Sequence, residues 1–169
     1  INLATIREQF GFAEAVEACA ALGITWVAPW RDQVARVGLR EAATILRQNG
    51  VRATGYCRGG MFPAADAAAR AAAIEDNKRA LEEAVTVNAR CLVLVVGTLP
   101  PGSRDLPATR QMVADGLATL LPLARAACMP LAIEPLHPVY AGDRACINTI
   151  SQALDLCDAL GEGIGVILD

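Results

Sequence analysis

A single histidine, His137, stands in the chain, too few for a histidine-rich metal cluster. No stretch concentrates basic residues. The net charge is −3 and the two signs are mixed along the chain, which excludes the basic stripe that tracks a nucleic-acid backbone. None of the six cysteines, at positions 19, 57, 91, 128, 146 and 157, forms a C-x-x-C pair, and a zinc cluster needs that tighter spacing. Most of them fall within expected helices or strands, the pattern of reduced core thiols in a cytosolic protein. The longest apolar run of strand character, "CLVLVV" at residues 91–96, is far too short to span a bilayer. The first residues read as strand, not as a charged segment leading into an apolar one. No signal peptide is therefore expected in the chain, and a cytoplasmic location is.

What is present is an alanine-rich composition, 54% apolar and 20% charged over 169 residues. That suits one ordinary domain with a real core. Short β-rich runs alternate with longer amphipathic ones. Strands are expected at 3–6, 25–28, 51–56, 91–96, 131–134 and 164–169. Helices are expected at 12–22, 33–48, 65–87, 108–127 and 149–160, several closed by Gly or Asn-Gly. "CRGGMFP" and "PLHPVYAGDRAC" read as loops.

Strict alternation means parallel strands with helical crossovers. An open nucleotide-binding sheet predicts a Gly-rich turn after its first strand; "ATIREQFG" supplies neither that fingerprint nor a Walker motif. Long loops follow the strands and short turns ("LGI", "NGV", "NAR") precede them, the habit of a (β/α)8 TIM barrel. A barrel has eight strands and six are countable. Exposed parallel edges are avoided, so strands seven and eight are expected outside this sequence. The alternative is a short protein whose edge is closed by a partner copy, a homo-oligomer.

Period two places Ala132 and Glu134 on one strand face and Leu131 and Ile133 on the other. In a barrel the second face packs on helices, and Glu134 points inward at the C-terminal mouth. Asp169 ends the next strand on the inward face in the same way. Two neighbouring inward carboxylates suggest a hard or borderline divalent cation; the alternative is a structural rim of arginine-paired carboxylates. His137 sits between Pro135 and Pro138 on a stiff loop, there either to bond substrate or relay a proton, or to cap the backbone. Arg58, before two glycines, is read as holding an anionic or hydroxyl-rich ligand, or as a solvated loop residue. Trp30, with Arg31, is read as a wall of a sugar site or as rim packing. Asn2 and Thr5 are weaker candidates.

"AIEPLHP", "INTISQALDLCDALGEGIGVILD", "TGYCRGGMFP" and "NKRALEEAVTVNARCLVLVVG" together resemble the xylose-isomerase-like barrels: sugar isomerases, ketose epimerases and their relatives in endonuclease IV. The resemblance implies a divalent metal, often manganese, with magnesium, cobalt or zinc as alternatives, held by four residues at the ends of strands five to eight. Glu134 would be the first ligand and Asp169 the second; the histidine and second glutamate would come from strands seven and eight. The strand-five glutamate would also move a proton. A sugar isomerase or epimerase acting on a small hydroxy-carbonyl compound through an enediolate is the function implied, with Glu134 catalytic and His137, Arg58 and Trp30 toward substrate. Relatives are commonly dimers or tetramers. Abasic-site DNA cleavage is the alternative, disfavoured by the lone histidine and negative charge, and a non-catalytic partial barrel is the third.

Overall fold

The computed structural model describes residues 1–168. It is an α/β fold, a partial TIM barrel in which parallel strands line the inside and six α-helices among the described residues lie outside. In chain order these are α1 (Phe12–Ala21), β1 (Trp26–Val27), α2 (Arg31–Val37), α3 (Leu39–Gln48), β2 (Arg52–Ala53), β3 (Tyr56–Gly60), α4 (Ala67–Thr86), β4 (Leu92–Val95), α5 (Leu106–Ala126), β5 (Leu131–Ile133), α6 (Ile150–Leu160) and β6 (Ile164–Val166).

β3, β4, β5 and β6 pair in that order, and β1 pairs with β2, all parallel. Backbone bonds join the two sets: the Cys57 N–H donates to the Pro29 carbonyl at 2.9 Å. Period two is visible in the packing. Leu92, Leu94, Leu131 and Ile133 are fully buried in the core under the helices, each contributing about 1.5–3 kcal/mol. Val93 and Val95 turn the other way, into a cavity inside the barrel wall. On the helix side, Val113, Leu117, Leu120 and Leu121 of α5 and Ala80, Leu81 and Ala84 of α4 complete that core.

Three expectations are corrected. The strand expected at 3–6 is a 3-10 helix, Leu3–Ile6. Asn2 Oδ1 accepts from the Ala4 N–H at 3.0 Å, and a short polar side chain that takes a backbone donor turns the chain out of a ladder. Only Asn2 bridges to Ala28. The single helix expected at 33–48 is two, broken at Gly38, whose φ is 92°. The loop expected after residue 56 begins as strand through Gly60. Glycine is depleted from strands, but here neighbours press so closely that a side chain is excluded: a Cβ on Gly60 would lie 1.9 Å from the Val95 carbonyl oxygen, and one on Gly59 2.6 Å from Asn77 Oδ1.

Candidate active site at the strand C-terminal mouth

A cavity of about 590 Å³ opens at the C-terminal ends of the strands, the end at which barrels of this kind carry their chemistry. Its wall brings together Trp30 from the end of β1, Cys57 and Arg58 from β3, and Glu134 from the end of β5. Residues far apart in the chain meet because parallel strands all deliver their C-terminal ends to one side.

Each is held differently. The Trp30 indole Nε1–H donates to Asn2 Oδ1 at 2.7 Å, and the Arg7 guanidinium lies 4.8 Å over the ring, with its own charge paired to Asp32 at 3.1 Å. The ring is thus fixed as a wall. The Glu134 N–H donates to the Leu94 carbonyl at 3.0 Å, so its backbone continues the β5 ladder while its half-buried side chain borders the cavity. Arg58 falls at a register shift: Cys57 pairs with Val93 and Gly59 with Leu94, leaving Arg58 with no opposite residue. Such a bulge re-aims side chains, and both Cys57 and Arg58 reach the cavity wall as a result. Asn77, fully buried on α4, fixes the strand just beyond: its Oδ1 accepts from the Gly60 N–H at 2.6 Å and its Nδ2–H donates to the Gly60 carbonyl at 2.7 Å.

Arg31, expected beside Trp30, is not in the wall. It turns outward from the first turn of α2, bonding Glu83 through Nε at 2.8 Å and Asp76 through Nη1 at 2.8 Å. The Tyr56 hydroxyl donates to the same Glu83 at 3.0 Å, so one cluster locks α2, α4 and β3 behind the site. Hydrogen bonds to the Glu83 and Asp76 carboxylates raise the Arg31 pKa. Burial, and then the Glu83 charge, push the Tyr56 phenol up. The hydrogen bonds from Arg31 hold Asp76 below the usual carboxylate range.

His137 is exposed and does not line the cavity. Its Nδ1 accepts from the Val139 N–H at 3.1 Å, capping a 3-10 turn, Pro138–Tyr140. Asp169 lies outside the described residues. Two charged side chains of the cavity wall went unforeseen in the sequence, Arg7 and Arg144. Arg7 closes the 3-10 turn that follows the Asn2–Ala28 bridge and Arg144 lies on the loop after β5, and that placement was the available signal.

Glu134 offers the oxygen donor that a hard divalent cation prefers. Among the described residues no group of three histidine, cysteine or acidic side chains is placed to hold a metal ion, so residues 1–168 supply one fitting ligand and not a full set. No helix among them is long and apolar enough to cross a membrane.

An inward-lining carboxylate at the mouth of a parallel barrel defines the class, and comparison gives the family. The chain belongs to the xylose isomerase-like TIM barrels, whose family model matches residues 16–169. Among solved structures it is similar to protein SMc04130 from Sinorhizobium meliloti 1021, at 63% identity and TM-score 0.96, over 98% of this chain and 60% of that one. It is also similar to IOLI protein with a binding zinc atom, at 17% identity and TM-score 0.81, over 100% of this chain and 61% of that one. D-psicose 3-epimerase, solved in the presence of D-fructose, matches at 17% identity and TM-score 0.76, over 94% of this chain and 57% of that one. The chain thus spans about 60% of the length of these proteins. The superfamily includes sugar epimerases and AP endonuclease family 2 proteins. No curated protein matches the chain.

Proposed function

We propose that the chain is the larger part of a metal-dependent sugar isomerase or epimerase, a single barrel domain whose remaining two strands come from outside these 169 residues. The observation that carries this reading is the shared cavity, whose wall carries a carboxylate, Glu134, an aromatic ring, Trp30, and a guanidinium, Arg58.

In this reading Glu134 takes the proton from the carbon beside the substrate carbonyl; isomerisation returns it on the same face to the neighbouring carbon, whereas epimerisation needs a second acid-base group on the opposite face to deliver a proton there. Trp30 packs on the C–H face of the sugar chain, as aromatic rings do. Arg58 orients an oxygen-bearing end. His137 steadies the loop at the rim and takes no part in proton transfer. Glu134, with Asp169, would hold a divalent cation, manganese in this proposal. Such an ion supplies Lewis-acid charge that makes the neighbouring carbon more acidic.

The small-molecule reading draws support from the epimerase among the structural relatives. Its test is exchange of the substrate's carbon-bound hydrogen with heavy water. Turnover with no deuterium uptake at that carbon counts against it.

A further inference from the structure

We propose that the ligand of this cavity carries an oxyanion, a carboxylate or a phosphate, and that Arg58 binds it. The inference rests on the reading above only in taking this cavity as the substrate site.

The first observation is charge. Three arginines, Arg7, Arg58 and Arg144, border the cavity among the described residues, against one carboxylate, Glu134. A hydroxyl accepts from a guanidinium, but an oxyanion, which only accepts and carries the opposite charge, gains more from donors that never accept.

The second observation separates Arg58 from the other two. Arg7 is paired with Asp32 at 3.1 Å and stacked on Trp30. Arg144 lies 3.4 Å from Asp143 and 4.7 Å over the Tyr140 ring. Arg58 is half-buried, and among the described residues no carboxylate lies within ion-pair distance of it. Its Nη1 rests 4.0 Å from the Met61 sulfur, a weak acceptor that does not neutralise a cation. The planar fork of a guanidinium matches the two oxygens of a carboxylate or phosphate.

The third observation is that the position is built. The bulge at Cys57–Gly59 directs Arg58 inward, and Asn77 and the close approach of Val95 fix the backbone on its C-terminal side. A solvated loop arginine needs none of this. One strand, β4, separates β3 from β5, so Arg58 and Glu134 start about 10 Å apart across two strand spacings. The anion and the reacting carbon therefore belong to opposite ends of a short hydroxylated chain.

The test is equilibrium binding by calorimetry to the full-length, metal-loaded protein. D-gluconate, D-glucitol and D-glucitol 1-phosphate serve as probes: they share a carbon skeleton and differ only at C1. Wild-type protein is expected to bind at least one charged probe about tenfold tighter than glucitol, the scale of one charge-assisted hydrogen-bonded pair. Gluconate ahead of the phosphate ester would assign a carboxylate, and the reverse order a phosphate. Arg58→Met is expected to reduce the preference to about twofold or less, and Arg58→Lys to keep part of it. Equal binding of all three probes to wild type would overturn the proposal without any variant. So would an anion preference that survives Arg58→Met, since the metal or another arginine would then be its source. No turnover enters this readout, so an inactive protein that still prefers anions through Arg58 leaves this inference standing while the isomerase reading falls.

Discussion

Around Arg58 the backbone is tied to the sheet and to α4, whereas around His137 it is bonded only within its own loop. Beyond Arg58, Gly60 gives both its N–H and its carbonyl to the buried Asn77, and Met61 and Phe62 donate onward to Val95 and Val96 at 2.9 and 3.0 Å. Behind it stands the cluster of Tyr56, Glu83, Arg31 and Asp76. The β5 loop has a fixed base and a free crest. Cys146 donates to the Gly97 carbonyl at 2.8 Å and Gly97 to the Arg144 carbonyl at 3.0 Å, while Val139 at the crest is 72% exposed. Arg144, on the fixed base, borders the cavity; His137, on the crest, does not. Arg58 reaches this cavity from a backbone anchored to the sheet, and His137, on a loop crest, does not reach it.

Breaking the anchored side directly has the largest expected effect. Gly60→Ala places a Cβ 1.9 Å from the Val95 carbonyl oxygen at a φ of 112°. The full-length variant should lose more than about 4 kcal/mol in urea unfolding, or fail to fold. Asn77→Ala removes the partners of both Gly60 groups and of the Ala73 carbonyl. A loss of about 3 kcal/mol is expected in the same measurement, since buried groups are left unpaired.

A smaller effect comes from the outer rim of the same cluster. Arg31 depresses the pKa of Asp76, so the folded value lies below the unfolded one, near 3.9. The stabilisation is therefore present above about pH 4 and is lost as pH falls through the folded value. Asp76→Asn should flatten that acid limb in a pH series of thermal unfolding while leaving the pH dependence near neutrality unchanged. The smallest effect is expected on the free crest. His137→Ala removes one exposed cap, and should cost under about 0.5 kcal/mol and leave turnover within about twofold. A large loss of turnover there would erase the contrast between the two sides.

The sequence already carried the alternation of strands and helices, and with it the barrel, because period two and helical amphipathicity are local patterns. The same periodicity set Leu131 and Ile133 toward the helices. What stayed hidden depended on contacts distant in the chain. Nothing local in "YCRGG" says that Asn77 and Val95 close in on its glycines, so strand read as loop. Residues 3–6 read as strand because the competing bond from the Ala4 N–H to Asn2 Oδ1 is a matter of geometry. Arg31 read as a site residue because its carboxylate partners lie 45 and 52 residues further along. Arg7 and Arg144 could be placed at the mouth only once loops had been assigned to strand ends. The part of the candidate site that rests on Asp169 lies outside the described residues.

The most direct measurement follows deuterium by mass spectrometry. D-fructose, D-xylulose, D-fructuronate and D-fructose 6-phosphate are incubated in heavy water with the full-length protein and manganese. At least one should take up deuterium at the carbon beside its carbonyl, and Glu134→Gln should slow that uptake by about a thousandfold. Uptake by none of them with the metal-loaded wild type, or uptake undiminished by Glu134→Gln, would contradict the assignment of Glu134 as the proton-transferring group of a sugar isomerase.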